Sequence, residues 1–419
     1  MINSVRGKVL LSVLLCFIGL WLLLSVSVFS GGEKVVNAEI FKLHLPLSLR
    51  WKSKRTADNT CPCQEEYLCK TPSTKHKNEV VIFMLQKDEK YWLKYDWSKV
   101  TTAVVFGPGV YNPLMVCHAH SHGAKIVTVA NIEKKYLKDA KKRREWVAER
   151  VKYVEENFLD GINFDFEDVI ERNDNASRQG YNALVQEAQT TFKKINPYYQ
   201  VTIDVAWWPN CTDDRCYDIL QLSKSTDFMF VMSYDEQSQI RGRCIAKANS
   251  PIDLTTRGLN EYLKMISASK LVLGVPWYGY NYECIDLSQD NVCKLKRVPF
   301  RGVNCSDAVG RQVPYTNIMN LLNTSISGRL WDDQSKSPYF NFKDGKTGKI
   351  HQMRYDDVES LRIKYELALM NKLLGVGMWN ADCLDYSDTK TARAQRRQMW
   401  GAIPYSHSNY QLVQHHTVH

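Results

Sequence analysis

Short runs of apolar and β-branched residues recur along the chain from residue 80 onward. Eight of them have the length of a buried strand: VVIFML (80–85), TTAVVFG (101–107), KIVTVAN (125–131), GINFDFE (161–167), VTIDVAW (201–207), FMFVMSY (228–234), LVLGVPW (271–277) and GVGMW (375–379). Continuous apolar runs of this kind are typical of parallel strands that are covered on both faces.

Amphipathic helical patterns lie between several of these runs. One extends from Trp146 to Phe158 before the fourth run, and another from Tyr181 to Ile195 after it. Strands alternating with helices predict an α/β fold, and eight strands are the number that closes a (β/α)8 TIM barrel. An open doubly wound sheet is the alternative. Against it, no run leads into a glycine-rich phosphate-binding loop.

Three segments depart from this pattern. Residues 31–60 are polar without clear periodicity, which predicts a linker or stalk before a folded domain at 61–400. Residues 401–419 are expected to form a tail. The stretch from about 280 to 350 bears cysteines and has no clear period. An irregular insertion between strands seven and eight, covering one rim of the barrel, is therefore expected.

The N-terminal residues 1–30 have the order of a secretory leader. Arg6 and Lys8 precede an uncharged apolar run from Val9 to about Phe29, although a signal peptide usually has a run of only ~7 to 15 residues. A retained signal anchor is the alternative, because about 20 apolar residues can span a bilayer. Both interpretations place the domain in the secretory pathway, so it is expected to be secreted, or membrane-anchored with its domain in the lumen.

The cysteines agree with an oxidising compartment. All but one of the 12 lie beyond the leader, and such cysteines mostly pair there. Cys211 with Cys216 and Cys284 with Cys293 are candidate local disulfides. The segment CPCQEEYLC (61–69) is also expected to be held by disulfide bonds. An odd number leaves at least one cysteine free or intermolecular. Acceptor sequences for N-glycosylation begin at Asn175, Asn210, Asn304 and Asn323.

Composition and charge exclude two other classes. Hydrophobic residues make up 44% and charged residues 24%, which is ordinary for a globular protein and argues against global disorder. Lys and Arg outnumber Asp and Glu by 55 to 45, partly through KKYLKDAKKRREW (134–146). That run is interpreted as the solvated face of a helix. No nucleic-acid-binding module accompanies it, so nucleic acid is not an expected partner.

A polar stripe interrupts the fourth apolar run. Asn163, Asp165 and Glu167 occupy alternate positions, so their side chains point the same way, near the C-terminal end of a strand where barrel active sites lie. Two carboxylates this close raise the pKa of one of them, and a raised pKa yields a general acid. Glycosidic bond cleavage needs such an acid. No histidine stands close to the stripe in sequence, so neither a metal nor another cofactor is expected.

DGINFDFE (160–167) resembles the D-G-x-D-x-D-x-E signature of family 18 glycoside hydrolases, the chitinase family, with Asn163 where the family usually has aspartate. MSYD (232–235), GVPWYGY (274–280), YDD (355–357) and GVGMW follow in the family's order. Six longer stretches resemble an exo-acting lysosomal member of the family: CPCQEEYLC, YDWSKVTT (95–102), DVAWWP (204–209), FVMSYDEQSQI (230–240), FRGVNCSDAVGRQVPY (300–315) and GMWNADCLDYS (377–387). The similarity covers roughly residues 61 to 400.

The resemblance implies a retaining mechanism in which the substrate's own 2-acetamido oxygen attacks the anomeric carbon. It implies that Glu167 first donates a proton to the leaving sugar oxygen and then accepts one from the incoming water. It implies that Asp165 and Tyr234 contact the acetamido group of the substrate. Asp160 is expected to support the strand. Asn163 cannot share a proton with Asp165 as an aspartate would, so Asp165 is expected to be less perturbed than in typical chitinases, with activity retained.

Sugar rings pack their C–H faces on aromatic side chains. Trp379 matches the position of the family's platform beneath the sugar being cleaved. Three polar residues, Asp204, Asp235 and Asn380, could bond sugar hydroxyls or cap turns. The further candidates for substrate contact are Asn163, Trp207, Trp277 and Tyr278.

The resemblance implies a lysosomal glycosidase that acts on chitobiose-type oligosaccharides from glycoprotein degradation, and the protein is expected to be a monomer. It would release the reducing-end N-acetylglucosamine of asparagine-linked glycan cores. An endo-acting chitinase is the alternative within the same class. A chitin-binding lectin is the alternative outside it, although such lectins typically lack the acid or its aspartate partner.

Overall fold

The computed structural model describes residues 60–107 and 109–405. The predicted leader at residues 1–30 and the linker up to residue 59 lie outside this range, as do residues 406–419 of the tail. Among the residues that are described, no helix is both long enough and apolar enough to cross a membrane.

Eight parallel strands form a closed barrel. Each strand coincides with one of the eight apolar runs, and the prediction of a (β/α)8 barrel is confirmed. The barrel strands are β1 (Glu79–Met84), β2 (Thr102–Val105), β3 (Lys125–Ala130), β4 (Gly161–Phe164), β5 (Gln200–Ala206), β6 (Met229–Met232), β7 (Leu271–Pro276) and β15 (Gly375–Trp379). Neighbours in the chain are neighbours in the barrel, and β15 closes it between β7 and β1.

Helices connect the strands along most of the described chain. They are α1 (Glu89–Trp92), α2 (Pro113–Ser121), α3 (Ala140–Glu156), α4 (Asn175–Ile195), α5 (Ile219–Lys224), α6 (Ile252–Leu263), α7 (Tyr315–Leu322), α8 (Val358–Met370) and α9 (Lys390–Ala402). Short 3₁₀ turns occupy Glu66–Cys69, Lys134–Tyr136, Ala268–Lys270, Asp307–Val309 and Ala381–Cys383. The long outer helices begin at aspartate caps: Asp139 accepts backbone N–H bonds at the start of α3, and Asp174 accepts one at the start of α4.

The insertion lies between barrel strands seven and eight, as expected, but it is not irregular. It contains β8 (Tyr278–Glu283), β9 (Asp286–Leu287), β10 (Cys293–Lys294), β11 (Arg311–Pro314), β12 (Leu330–Asp332), β13 (Ser337–Lys343) and β14 (Ile350–Arg354). Five of these strands form an antiparallel sheet in the order β11-β8-β14-β13-β12. The prediction of irregular structure was wrong because β8 places tyrosines at alternate positions, a strand pattern, and the strands of the sheet pair with distant segments.

An aromatic column fills the barrel axis. The rings of Phe83 and Phe230 lie 5.0 Å apart, and Phe83 also contacts Trp379 at 5.3 Å. Two glycines make room for it, because a Cβ at Gly274 or Gly377 would come within 2.3 or 2.7 Å of the Phe230 ring. Phe83 and Phe230 are buried, whereas Trp379 is partly exposed, so the column rises from the core to the open end of the barrel.

Gly161 explains the glycine of the DG pair at the start of β4. Its φ is +140°, and a Cβ there would lie 1.9 Å from the carbonyl oxygen of Gln200 on β5. Only glycine fits such a backbone conformation and such a close approach of two strands.

Five disulfides cross-link the described chain. They join Cys61 to Cys69, Cys63 to Cys117, Cys211 to Cys216, Cys244 to Cys305, and Cys284 to Cys293. Both predicted local bridges are confirmed, and the CPCQEEYLC segment is held by one internal and one longer bridge. Cys383 is buried and unpaired in the described part of the chain. All four asparagines of the glycosylation sequences are exposed.

A buried ion pair fastens the N-terminal segment to the base of the barrel. His120 Nε2 lies 2.7 Å from Asp160 Oδ2, and His120 Nδ1 lies 2.6 Å from the carbonyl oxygen of Leu68. The same Asp160 oxygen accepts the backbone N–H of Ile126. Burial lowers the pKa of His120, but the Asp160 charge and the two hydrogen bonds outweigh it and leave that pKa raised. Asp160 therefore lies in a structural network, far from the open ends of the strands.

We expect His120 to stabilise the fold most in acid. A folded pKa above the unfolded value means that the charged pair contributes fully below about pH 6.5 and is lost as pH rises through the folded pKa. The substitution His120→Gln should cost about 3 kcal/mol of unfolding free energy at acidic pH and less at alkaline pH. Thermal unfolding of both proteins at a series of pH values measures this difference. An equal loss at every pH would contradict the assignment.

Candidate active site

The polar stripe continues directly from β4 into the loop at the open end of the barrel. Phe164 stacks on Trp146 of α3 with ring centroids 5.5 Å apart, and Phe166 contacts Tyr181 of α4 at 4.7 Å. These two phenylalanines face the helices. The residues that alternate with them, among them Asp165 and Glu167, therefore face the inside of the barrel mouth, as the sequence pattern predicts.

The three residues predicted to be catalytic are brought together. Tyr234 follows β6 and is 8% exposed. Burial, followed by the negative charges of Asp204, Asp165, Asp235 and Glu167, raises the pKa of Tyr234 well above its ordinary value. The phenol is thus held as a neutral hydroxyl that can donate a hydrogen bond. It lies within electrostatic reach of both carboxylates of the stripe.

Asp204 lies beneath this cluster and is not open to a sugar. It points inward from β5, is 3% exposed, and accepts a hydrogen bond from Asn163 Nδ2 at 2.9 Å. The same amide nitrogen lies 3.0 Å from Thr202 Oγ1. Asn163 is itself fully buried. The structure therefore places Asp204 and Asn163 beneath the cluster, bonded to each other through Asn163 Nδ2 and Asp204 Oδ1, and their contact with substrate stays a prediction.

The buried Asp204 instead changes the electrostatics of Asp165. Burial, and then the charge of Asp165, raises the pKa of Asp204 well above the ordinary value. A neutral Asp204 beside an ionised Asp165 gives the pair a single negative charge. Asp204 on the neighbouring strand is thus electrostatically coupled to Asp165, which sequence spacing alone does not reveal.

Asp235 joins the barrel to the insertion. Its carboxylate accepts hydrogen bonds from the hydroxyl groups of Tyr278 at 2.5 Å and Tyr280 at 3.0 Å, and from the amide of Gln312 at 3.3 Å. Tyr278 also packs edge-on against Tyr234, with centroids 6.1 Å apart. The predicted residues Asp235 and Tyr278 therefore lie beside the cluster. Tyr280 and Gln312 belong to the same network and were not predicted.

Trp379 is the aromatic residue best placed to meet a ligand. It ends β15, packs edge-on against Phe106 at 4.7 Å, and is partly exposed above the aromatic column. Asn380, which follows it, accepts the backbone N–H of Asp382. Asn380 is thus the cap of the 3₁₀ turn that begins at Ala381.

Two predicted tryptophans are not brought into the cluster. Trp277 is fully buried and packs edge-on against Trp400 of α9 at 5.1 Å. Trp207 contacts Trp208 at 5.9 Å, and its ring lies against Gly258 of α6. The structure thus places the ring of Trp277 in the packing between the barrel and its helices, away from the cluster.

Arg215 is the main residue that sequence reasoning missed. Its Nη1 lies 2.6 Å from Glu167 Oε2, and its Nη2 lies 3.4 Å from Asp213 Oδ2. The available signal was the disulfide loop CTDDRC (211–216), which follows β5 and is therefore adjacent to the end of β4. Glu167 was expected to be a protonated acid beside the carboxylate of Asp165, with no cation nearby. The structure instead pairs its carboxylate with a buried cation.

The arrangement combines the groups that glycosidic bond cleavage needs. A carboxyl group able to carry a proton lies beside a second carboxylate, a neutral phenol and an aromatic floor. The described residues include one cluster with metal-ligand spacing, Cys61, Cys63 and Cys69, and all three form disulfides. Fold and site together define the chain as a glycoside hydrolase.

Sequence comparison identifies the family. The profile of glycosyl hydrolases family 18 matches residues 66–383. Di-N-acetylchitobiase of Mus musculus is 44% identical over 353 residues, which are 83% of this chain and 94% of the mouse protein. Di-N-acetylchitobiase of Homo sapiens is 44% identical over 351 residues, 83% of this chain and 89% of the human protein. The chain belongs to glycosyl hydrolase family 18, and these di-N-acetylchitobiases are similar to it over most of their length.

Solved structures share the fold at low identity. A chitinase from Chromobacterium violaceum superimposes with a TM-score of 0.60 at 16% identity, covering 78% of this chain and 97% of that one. A family 18 N-acetylglucosaminidase from Paenibacillus barengoltzii has a TM-score of 0.60 at 16% identity, covering 78% of this chain and 100% of that one. At such identities the likeness concerns the barrel fold alone.

Proposed function

We propose that this enzyme hydrolyses the β-1,4 bond of N,N'-diacetylchitobiose cores from asparagine-linked glycans and releases the reducing-end N-acetylglucosamine. The observation that carries the proposal is the convergence of Asp165, Glu167 and Tyr234 at the open end of the barrel. Two similar proteins, from mouse and human, are named for chitobiose hydrolysis, which supports the choice of substrate.

In the first step Glu167 donates a proton to the glycosidic oxygen as the bond to the anomeric carbon breaks. The oxygen of the substrate's 2-acetamido group attacks that carbon, so the intermediate is an oxazolinium ion and no bond to the protein forms. Asp165 accepts the acetamido N–H and offsets the positive charge, while the neutral hydroxyl of Tyr234 donates to the acetamido oxygen.

In the second step a water molecule attacks the anomeric carbon from the side that the leaving sugar vacated. Glu167, now a carboxylate, accepts the proton of that water, and the carbon–oxygen bond of the oxazolinium breaks to restore the acetamido group. Two displacements at one carbon retain its configuration. Trp379 is proposed to stack beneath the sugar that carries the acetamido group, and Asp235 to bond its hydroxyl groups.

Lysosomal delivery is part of this proposal. Five disulfides and four exposed glycosylation sequences support folding in the secretory pathway. The raised pKa of His120 favours stability of the fold in an acidic compartment.

The test is product analysis with wild-type protein. A defined glycan with a free chitobiose end and a series of chitin oligomers are incubated separately at acidic pH. Mass spectrometry identifies the products, and NMR of the newly formed anomer gives the stereochemistry. We expect one N-acetylglucosamine released from each reducing end and initial retention of the β configuration.

The outcomes separate the competing functions. Internal cuts in the oligomers would support an endo-acting chitinase and contradict the exo-acting proposal. Binding without any product would support a lectin and contradict catalysis by Glu167. An initially inverted anomer would contradict attack by the acetamido group.

A further inference from the structure

A disulfide-closed loop lies directly against the segment that carries the proposed acid. The bridge between Cys211 and Cys216 closes the loop (residues 211–216) after β5. The backbone N–H of Cys216 donates to the carbonyl oxygen of Ile170 at 3.0 Å, and Arg215 forms a β-bridge with the same Ile170. The loop is thus attached to the chain three residues beyond Glu167.

The residue after this loop holds the backbone on both sides of Glu167. The hydroxyl oxygen of Tyr217 lies 3.0 Å from the carbonyl oxygen of Phe166 and 2.7 Å from that of Asp168. Its ring packs against both Phe166 and Tyr181, with centroids 5.7 and 5.4 Å away. The main chain around Glu167 is therefore positioned by the loop as well as by β4.

The side chain of Glu167 is held by Arg215. The Arg215 side chain is 9% exposed and the Glu167 side chain 30%, so the cation is the more deeply buried member of the pair. The Nη2 atom of the same guanidinium lies 3.4 Å from Asp213 Oδ2. Asp213 in turn accepts the hydroxyl of Ser238 at 3.0 Å, and its carbonyl oxygen accepts Arg301 from the insertion.

We propose that Arg215 is a positioning residue for Glu167, which holds the acid in place and sets the pH range over which it carries its proton. The proposal rests on the proposed function, because it assumes that Glu167 is the acid.

The positive charge of Arg215 explains how it sets the pH range over which Glu167 carries its proton. The titratable groups around Glu167 on its own segment and on the neighbouring elements are Asp165, Asp168, Asp204, Asp213, Arg215, Tyr217 and Tyr234. All except Arg215 are acids or phenols. Without the guanidinium, neighbouring negative charge would hold the proton on Glu167 to higher pH. Arg215 opposes this effect and so confines the protonated acid to acidic pH.

The experiment compares Arg215→Met, which removes the charge, with Arg215→Lys, which keeps it without the planar fork. The matched control is Arg143→Met. Arg143 pairs with Glu187 at 2.9 Å, and their side chains are 11% and 28% exposed, close to the values for Arg215 and Glu167. This control lies on the outer helices α3 and α4. Rates are measured against pH on the diacetylchitobiose glycan and on 4-methylumbelliferyl chitobioside, whose aryl group leaves with little need of a proton.

For Arg215→Met we expect the alkaline limb of kcat/KM on the glycan to move up by about one pH unit. We also expect kcat to fall roughly tenfold to a hundredfold on the glycan and much less on the aryl substrate. Arg215→Lys should keep the limb near its wild-type position, and Arg143→Met should lower the melting temperature without moving the limb.

A folded Arg215→Met variant could leave the alkaline limb of kcat/KM in place and lose kcat equally on both substrates. That result would overturn the role of Arg215 but not the proposed function. If Arg215→Met fails to fold, Arg215→Lys still tests the proposal. Because lysine keeps the positive charge, an alkaline limb that moves up by about one pH unit in Arg215→Lys would overturn the role of Arg215. A wild-type protein that cleaves neither substrate would overturn the proposed function itself.

Discussion

Replacing Glu167 by glutamine is expected to abolish hydrolysis of the glycan, with a loss on the order of 10³-fold in kcat. Glutamine keeps the shape of the side chain but has no proton to give to the leaving sugar and cannot take one from water. The unfolding free energy should change by about 1 kcal/mol or less, because the amide oxygen still accepts a hydrogen bond from Arg215 and repulsion from Asp165 is relieved. Initial rates and chemical denaturation measure the two effects.

Glu187→Gln provides the control for this variant. It neutralises a carboxylate of similar exposure that also pairs with a buried arginine, but on the outer helices. Full activity is expected. Wild-type turnover of the glycan by Glu167→Gln would contradict the assignment of the acid.

Asp165→Asn is expected to lower kcat by roughly 10²-fold, because the oxazolinium loses the negative charge that offsets it. The loss should be similar on the aryl substrate and on the glycan, since Asp165 acts on the attacking acetamido group and not on the leaving group. Glu167→Gln, in contrast, should lose much less kcat/KM on the aryl substrate than on the glycan, because kcat/KM reports the first step, in which the aryl group leaves with little need of a proton. Rates of both variants on both substrates measure this difference.

Asp204→Asn is the comparison for Asp165. The raised pKa of Asp204 makes it neutral in acid, so a neutral amide should cost much less than the same change at Asp165. Equal losses in Asp165→Asn and Asp204→Asn at acidic pH would contradict the division of charge between the two residues.

The eight barrel strands and the two local disulfides could be predicted from the chain because their signals are local. Each strand is a short apolar run, and each predicted bridge joins cysteines fewer than ten positions apart. The alternation of Asp165 and Glu167 with Phe164 and Phe166 is local too, since a strand imposes its period of two on neighbouring residues. The sequence by itself therefore determined the barrel and the direction of its acidic stripe.

The partners of that stripe were decided only by tertiary structure. Asp204 and Arg215 reach Asp165 and Glu167 because parallel strands β4 and β5 end side by side, a closeness that no spacing along the chain expresses. Trp277 stands at a strand end like Trp379, but packing against α9 turned it away. The insertion acquired its sheet in the same way, through pairing of segments as distant as Tyr280 and Arg354. Local periodicity specifies elements, whereas charge pairing, burial and strand partners depend on which elements meet in space.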